Sequence, residues 1–189
     1  MALAVGLALA LAGCSGGGTR APTPSAVPSP VPAASPVALR DPASAILEDG
    51  QVGLPRTGGR DHLTAAEAAS LDADQPSAFQ LYAGWGWIEE STRSWAGSGR
   101  SADALVLLAL RPQGAQLAYE HYAQAAEQAP HEARPCPATI TGLDACLEGT
   151  GSAGTLIAGR LAEELFVIEG QGGVDVGALA ALQAARLRA

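Results

Sequence analysis

The chain has 189 residues, no lysine and no asparagine, and a net charge of −8 from 19 acidic residues against 11 arginines. Without lysine there is no P-loop, Schiff base or Ser-Lys dyad, and without asparagine there is no N-glycosylation acceptor. Every acidic residue lies at or after Asp41, where only nine arginines oppose them, so that region carries −10 and repels nucleic acid and anionic headgroups. Nucleic acid is therefore excluded as an expected partner.

The chain opens with an uncharged run of Ala, Leu, Val and Gly from Ala2 to Ala12, closed by Leu11-Ala12-Gly13-Cys14. The run is shorter than the ~20 apolar residues a membrane span requires and has the length of an export h-region. No basic residue precedes it, which points to a start codon upstream of Met1. Leu11 to Cys14 resembles the lipobox of bacterial lipoproteins. That resemblance implies a signal peptide over residues 1–13, a lipid on Cys14, and anchorage to the extracytoplasmic face of the cell membrane.

Residues 14–44 are expected to form the lipidated end and a disordered tether. From Ser15 to Arg40 the sequence is rich in Ser, Pro and Ala, with prolines at 22, 24, 28, 30, 32 and 36 and no hydrophobic period. At ~3 Å per residue in polyproline-II conformation, it would hold a domain roughly 50–80 Å from the membrane. Such spacing also keeps an acidic domain away from an anionic surface.

The folded domain is expected over residues 45–189, beginning with irregular sequence from Ile46 to Arg60. Thr64-Ala65-Ala66-Glu67 reads as a capping box, predicting a short helix over Ala65–Leu71, which Asp72 to Pro76 then breaks. Phe79 to Trp95 is aromatic and β-prone, and Trp87, Glu89, Ser91, Arg93 and Trp95 share one strand parity. Ala104–Leu110 is an unbroken apolar run, suited to a central strand buried on both faces. Gly114 to Ala129 is the clearest helix, with Ala115, Ala118, Tyr119, Tyr122, Ala126 and Ala129 on one stripe before Pro130.

Cys136 and Cys146 form an even pair once Cys14 is lipidated, and outside the cytosol they are expected to make a disulfide; two separate buried thiols are the alternative. A short strand is expected around Ala138–Thr141 and a flexible loop over Gly149–Gly154. Thr155–Arg160 and Leu165–Glu169 then read as a hairpin turning near Ala162-Glu163. Asp175 caps a closing helix through Leu187. The order β-β-α-β-β-β-α predicts an α+β fold, a single antiparallel sheet with helices packed on one face.

Arg93-x-Trp95, the apolar strand after it, and Gly114-Ala115-x-x-Ala118-Tyr119 resemble a domain found in secreted lipoproteins of GC-rich, actinobacterial-type bacteria. Those domains are mostly uncharacterised, so the resemblance implies a fold and little about activity.

Gly149 to Gly154 matches G-x-G-x-x-G, but the β-like segment that follows does not open a helix, so it reads as a turn and no cofactor is expected. His62, His121 and His131 lack any His-x-x-x-His or Glu-x-x-His spacing, so no metal site is expected. No G-x-S-x-G elbow occurs either. Glu89-Glu90 and Glu163-Glu164 would point to opposite faces of their strands, so neither pair makes a dyad.

The candidate ligand-binding set is Tyr82, Trp85, Trp87, Arg93 and Trp95, an aromatic group that could line a groove or form part of the core. Two functions are expected. One is a lipid-anchored, non-catalytic domain binding a wall component, small ligand or protein partner, with no catalytic residues. The other is a cell-envelope hydrolase acting on wall glycan or ester, with carboxylates or His121 converging in a cleft.

Overall fold

The computed structural model describes residues 40–127 and 131–189, so the expected signal peptide, Cys14 and nearly all of the tether lie outside the described residues. The first element, α1 (Pro42–Ala45), begins inside the span 14–44 and already buries Pro42 and Ala45. After it come α2 (Asp49–Val52), β1 (Arg56–Leu63), α3 (Ala65–Ala69), α4 (Gln75–Gly84), β2 (Trp87–Gly97) and β3 (Arg100–Ala109). The chain continues through α5 (Pro112–Glu127), β4 (His131–Pro135), β5 (Ala145–Gly151), β6 (Gly154–Leu161), β7 (Glu164–Gln171) and α6 (Val176–Arg188).

The seven strands among the described residues join one sheet in the order β1-β2-β3-β7-β6-β5-β4, and every pairing is antiparallel. The α+β class and the single antiparallel sheet are those the element order implies. Helices, however, stand against both faces rather than one. Ala104 and Val106 of β3 pack in a cluster with Ile157, Phe166 and Ile168 under α6. Leu107 and Ala109 pack with Leu156, Leu165 and Val167 under α5. The cause is the apolar run in β3: successive side chains alternate faces, so an unbroken run requires cover on both.

The α6 face is closed by a buried polar clamp. Gln183 is fully buried; its Oε1 accepts from the Leu47 amide at 3.0 Å and its Nε2 donates to the Ala45 carbonyl at 2.9 Å. Segment 45–47 is thereby bonded to α6, with every clamp group satisfied. On the other face, Gly149 lets α5 approach: a Cβ there would lie 2.7–2.8 Å from Ala126.

Several local expectations change. Phe79 to Gly84 is helical rather than extended, because Asp74 caps α4 by accepting from the Ser77 amide at 3.4 Å and Pro76 sits in the first helical turn. The Asp72–Pro76 breaker is thus also a helix start. Ala138–Thr141 is a loop rather than a strand, and Gly149 and Gly154 belong to the paired ends of the β5–β6 hairpin rather than to a flexible loop. Edge strands β1 and β4 are mostly exposed and lack an apolar alternation, which left them invisible to periodicity.

Cys136 and Cys146 form a disulfide, with Cα atoms 5.7 Å apart, that ties the segment after β4 to β5. Both sulfurs pack against the cluster under α6. Their sequence separation is 10, and closing a loop of that size stabilises a fold by about 2–3 kcal/mol. Replacing both by serine is expected to lower stability by about that amount, measured by urea denaturation against the oxidised protein.

Candidate functional site

The predicted aromatic set is divided between the two faces of the sheet. A register irregularity between Trp87 and Glu89 pairs Trp87 with Ala109 but Glu89 with Leu108. This extra residue moves Trp87 to the α5 face, while Glu89, Ser91, Arg93 and Trp95 keep the opposite parity. Trp85 is the C-cap of α4, outside the strand altogether. Tyr82, Trp85 and Trp87 therefore come together, whereas Arg93 and Trp95 do not join them.

On the α5 face, the ring centroids of Tyr82 and Trp87 are 4.4 Å apart and those of Trp85 and Trp87 6.1 Å, the latter pair nearly parallel. Trp85 also meets His121 and Tyr122 of α5, at 5.3 and 6.4 Å. Trp85 is buried and Trp87 half-buried, with the Trp87 indole N–H donating to the Leu63 carbonyl at 3.1 Å. Gly114 permits this arrangement, since a Cβ there would lie 1.8 Å from the Trp85 carbonyl oxygen. The group is packed in tilted and stacked pairs and is chiefly a wall of the core.

Arg93 and Trp95 serve the other face. Trp95 is 1% exposed and its indole N–H donates to Asp49 at 2.9 Å. The Arg93 guanidinium pairs with Asp61 and donates to the Thr92 carbonyl at 2.9 Å. It also borders an open polar cleft of about 570 Å³ beside α1 and α2, together with Arg56 and Arg186. Arg186 is committed within that cleft, to Glu48 at 3.0 Å and to the carbonyls of Ser44 and Ala45.

Beyond the aromatic wall, the α5 face of the sheet is open between Tyr122 and strands β2, β3 and β7. There a groove of about 250 Å³ opens, with Leu105 and Val167 as an apolar floor. Thr92 and Ser94 of β2 line one side, Tyr122 of α5 another, and Asp103 of β3 and Glu169 of β7 the far end; Arg93, a residue predicted from sequence, and Ala104 also border it. Asp103 and Glu169 are direct cross-strand partners. Like charges in that position oppose strand pairing, so placing them together in a concavity favours a cationic or hydrogen-bond-donating occupant.

Behind Tyr122 lies a second cluster. Glu90, 4% exposed, projects from β2 on the α5 face, and its Oε2 has no hydrogen-bond partner. Burial, reinforced by the charge of Asp72, pushes its carboxyl up to about 8, so it is mostly protonated at neutral pH. The Tyr82 hydroxyl donates to Asp72 at 2.6 Å. Burial, first, and then the neighbouring acids raise the hydroxyls of Tyr82 and Tyr122 well above the usual phenol range. Tyr122 thus stands between a buried acid cluster and the open groove.

Thr92, Ser94, Asp103, Tyr122 and Glu169 were not singled out from sequence. Parity along Arg100–Ala109 places Asp103 beside Leu105 on one face, but only the β3–β7 register adds Glu169. His121 packs against Trp85 with its ring tilted and does not line the groove. Among the described residues, no helix is long and apolar enough to cross a membrane.

No family model and no curated protein matches the chain. Among solved structures, it is similar to the extracellular domain of PknH from Mycobacterium tuberculosis, with 12% sequence identity and a TM-score of 0.49 over 82% of this chain and 98% of that one.

Proposed function

We propose that this protein is a lipid-anchored extracytoplasmic binding domain, non-catalytic, whose ligand occupies the groove between Tyr122 and the β2–β3–β7 surface. The observation that carries the reading is the groove itself: an apolar floor beneath hydroxyls and two facing carboxylates. That lining suits a ligand with an apolar body and an ammonium or hydroxyl-rich head, such as an amine-bearing wall fragment or a basic peptide side chain. The leader and the acidic charge support anchorage through Cys14 with the domain held off the membrane.

The test is calorimetric titration of the full-length protein in detergent with amine-bearing disaccharide-peptide wall fragments. Asp103→Asn is expected to weaken binding by roughly tenfold or more, since a hydrogen bond to a charged group contributes about 1.5–3 kcal/mol. Leu105→Trp, which fills the floor, is expected to abolish it. Undiminished binding by both variants, or no binding by the wild type, rules the groove out.

A second reading adds hydrolysis of wall glycan or ester at the same place. It is favoured by one observation: two carboxylates and a tyrosine converge in one groove, as acid–base chemistry requires. Product formation from the same fragments, lost in Asp103→Asn while binding persists, would establish that reading over the first.

A further inference from the structure

Away from the groove, three side chains from three separate elements converge at the β1–β2 edge of the sheet. They are Asp41, the N-cap of α1; His62, near the end of β1; and Glu89 of β2. One potential donor atom from each lies within 4.8 Å of the other two. His62 Nδ1 hydrogen-bonds Glu89 Oε1 and is 3.9 Å from Asp41 Oδ1. We propose that Asp41, His62 and Glu89 form a binding site for a divalent transition-metal ion, with Zn²⁺ the best match to the donors.

The local fold explains the convergence. Between Arg60 and Leu63, β1 advances three residues while its partner β2 passes only from Thr92 to Glu90. The extra residue re-aims the side chains at this point: Asp61 goes to Arg93, and His62, with φ of 59°, goes to Glu89. Strand alternation does the rest, sending Glu89 to the α6 side of the sheet and Glu90 beneath α5. Asp41 arrives from α1, its carboxylate oriented by accepting from the Ala43 amide at 2.8 Å. Such an outer hydrogen bond holds a metal ligand in place.

Donor chemistry selects the ion class. One imidazole nitrogen and two carboxylate oxygens suit Zn²⁺ and its first-row neighbours, whereas Ca²⁺ and Mg²⁺ prefer oxygen-only shells. Zn²⁺ with ligands at about 2.0–2.2 Å in tetrahedral geometry separates them by roughly 3.4 Å, so only small side-chain adjustments are needed. The two carboxylates balance the charge of a divalent ion. The side chains of His62, Asp41 and Glu89 are 63%, 50% and 25% exposed, which leaves the ion an open approach and room for a water in the fourth position. A bound ion would fasten α1, the first element of the folded domain, to the edge of the sheet.

The test uses the full-length chain with Cys14→Ser, so that its thiol cannot take metal, and titrates it with Zn²⁺ against a chromophoric chelator. One ion per chain is expected. Asp41→Asn, which keeps an acceptor for the Ala43 amide, His62→Ala and Glu89→Gln are each expected to raise Kd by at least about tenfold, the lower range even for an outer-sphere partner. His121→Ala is expected to leave it unchanged. Near-UV circular dichroism matching the parent confirms that each variant is folded. Absence of stoichiometric binding, or an affinity unaltered in folded His62→Ala, overturns the site; Ca²⁺ binding as tightly as Zn²⁺ overturns the ion class.

Discussion

Glu90→Gln is expected to abolish most of the fall in stability that the wild-type protein shows as pH rises from about 5 to about 8. The folded protein keeps the Glu90 proton up to about pH 8, whereas the unfolded chain releases it near the ordinary value of 4.5. Between these values the folded state therefore binds more protons than the unfolded state, and raising the pH favours unfolding. Above about pH 8 the carboxylate is charged inside the fold, with its Oε2 lacking a hydrogen-bond partner and Asp72 nearby. The shift from 4.5 to about 8 corresponds to something on the order of 4–5 kcal/mol of lost stability across that window.

Glutamine keeps the shape and cannot ionise, so its stability curve should be flatter and should cross above the wild type at alkaline pH. Urea denaturation at pH 5, 7 and 9 measures this. Parallel curves for the two proteins would mean that Glu90 is solvated rather than buried. Because Glu90 and Tyr122 interact and Tyr122 lines the groove, the same variant also reports on the binding site. Ligand affinity that varies with pH in the wild type but not in Glu90→Gln would connect the buried acid to the groove.

Trp95→Ala is expected to cost about 3–5 kcal/mol, the range for truncating a buried aromatic residue to alanine. Trp95 is 1% exposed and packs within the cluster that joins segment 45–47, the sheet and α6. Its removal leaves a cavity facing several elements at once, and their attachment to the sheet limits how far that cavity can collapse. The midpoint of thermal unfolding should fall by roughly 10 °C, given about 2–4 °C per kcal/mol for a domain of this size. Trp87→Ala, at a half-buried position on the other face, should cost much less. Equal losses from the two would contradict the division of the tryptophans between faces.

That division also shows how far the sequence could be read. The capping box at Thr64–Glu67, the Asp175 cap, the stripe on α5 and the β6–β7 hairpin are legible because each depends on residues close in sequence. The apolar run in β3 implies cover on both faces, and α6 and α5 supply it. The expected strand from Phe79 onward failed because aromatic β-propensity competed with an Asp cap and a proline in the first helical turn, and the helix prevailed. The aromatic set is divided between the two faces because strand parity holds only while pairing is regular, and one extra residue at Trp87–Glu89 reverses it.

By itself, the sequence determined the lack of lysine and asparagine chemistry, the apolar run ending at Cys14, the proline-rich segment, the acidic charge and most long elements. These follow from composition or from periods of two and 3.6 residues, which involve near neighbours only. Tertiary structure alone decided that Asp103 faces Glu169, that Glu90 is buried while Glu89 meets His62, and that α5 leaves an open groove beside Tyr122. Each of those facts depends on which strands pair, in which register, and how a helix crosses them. Such contacts join residues far apart in the chain, and local pattern does not encode them.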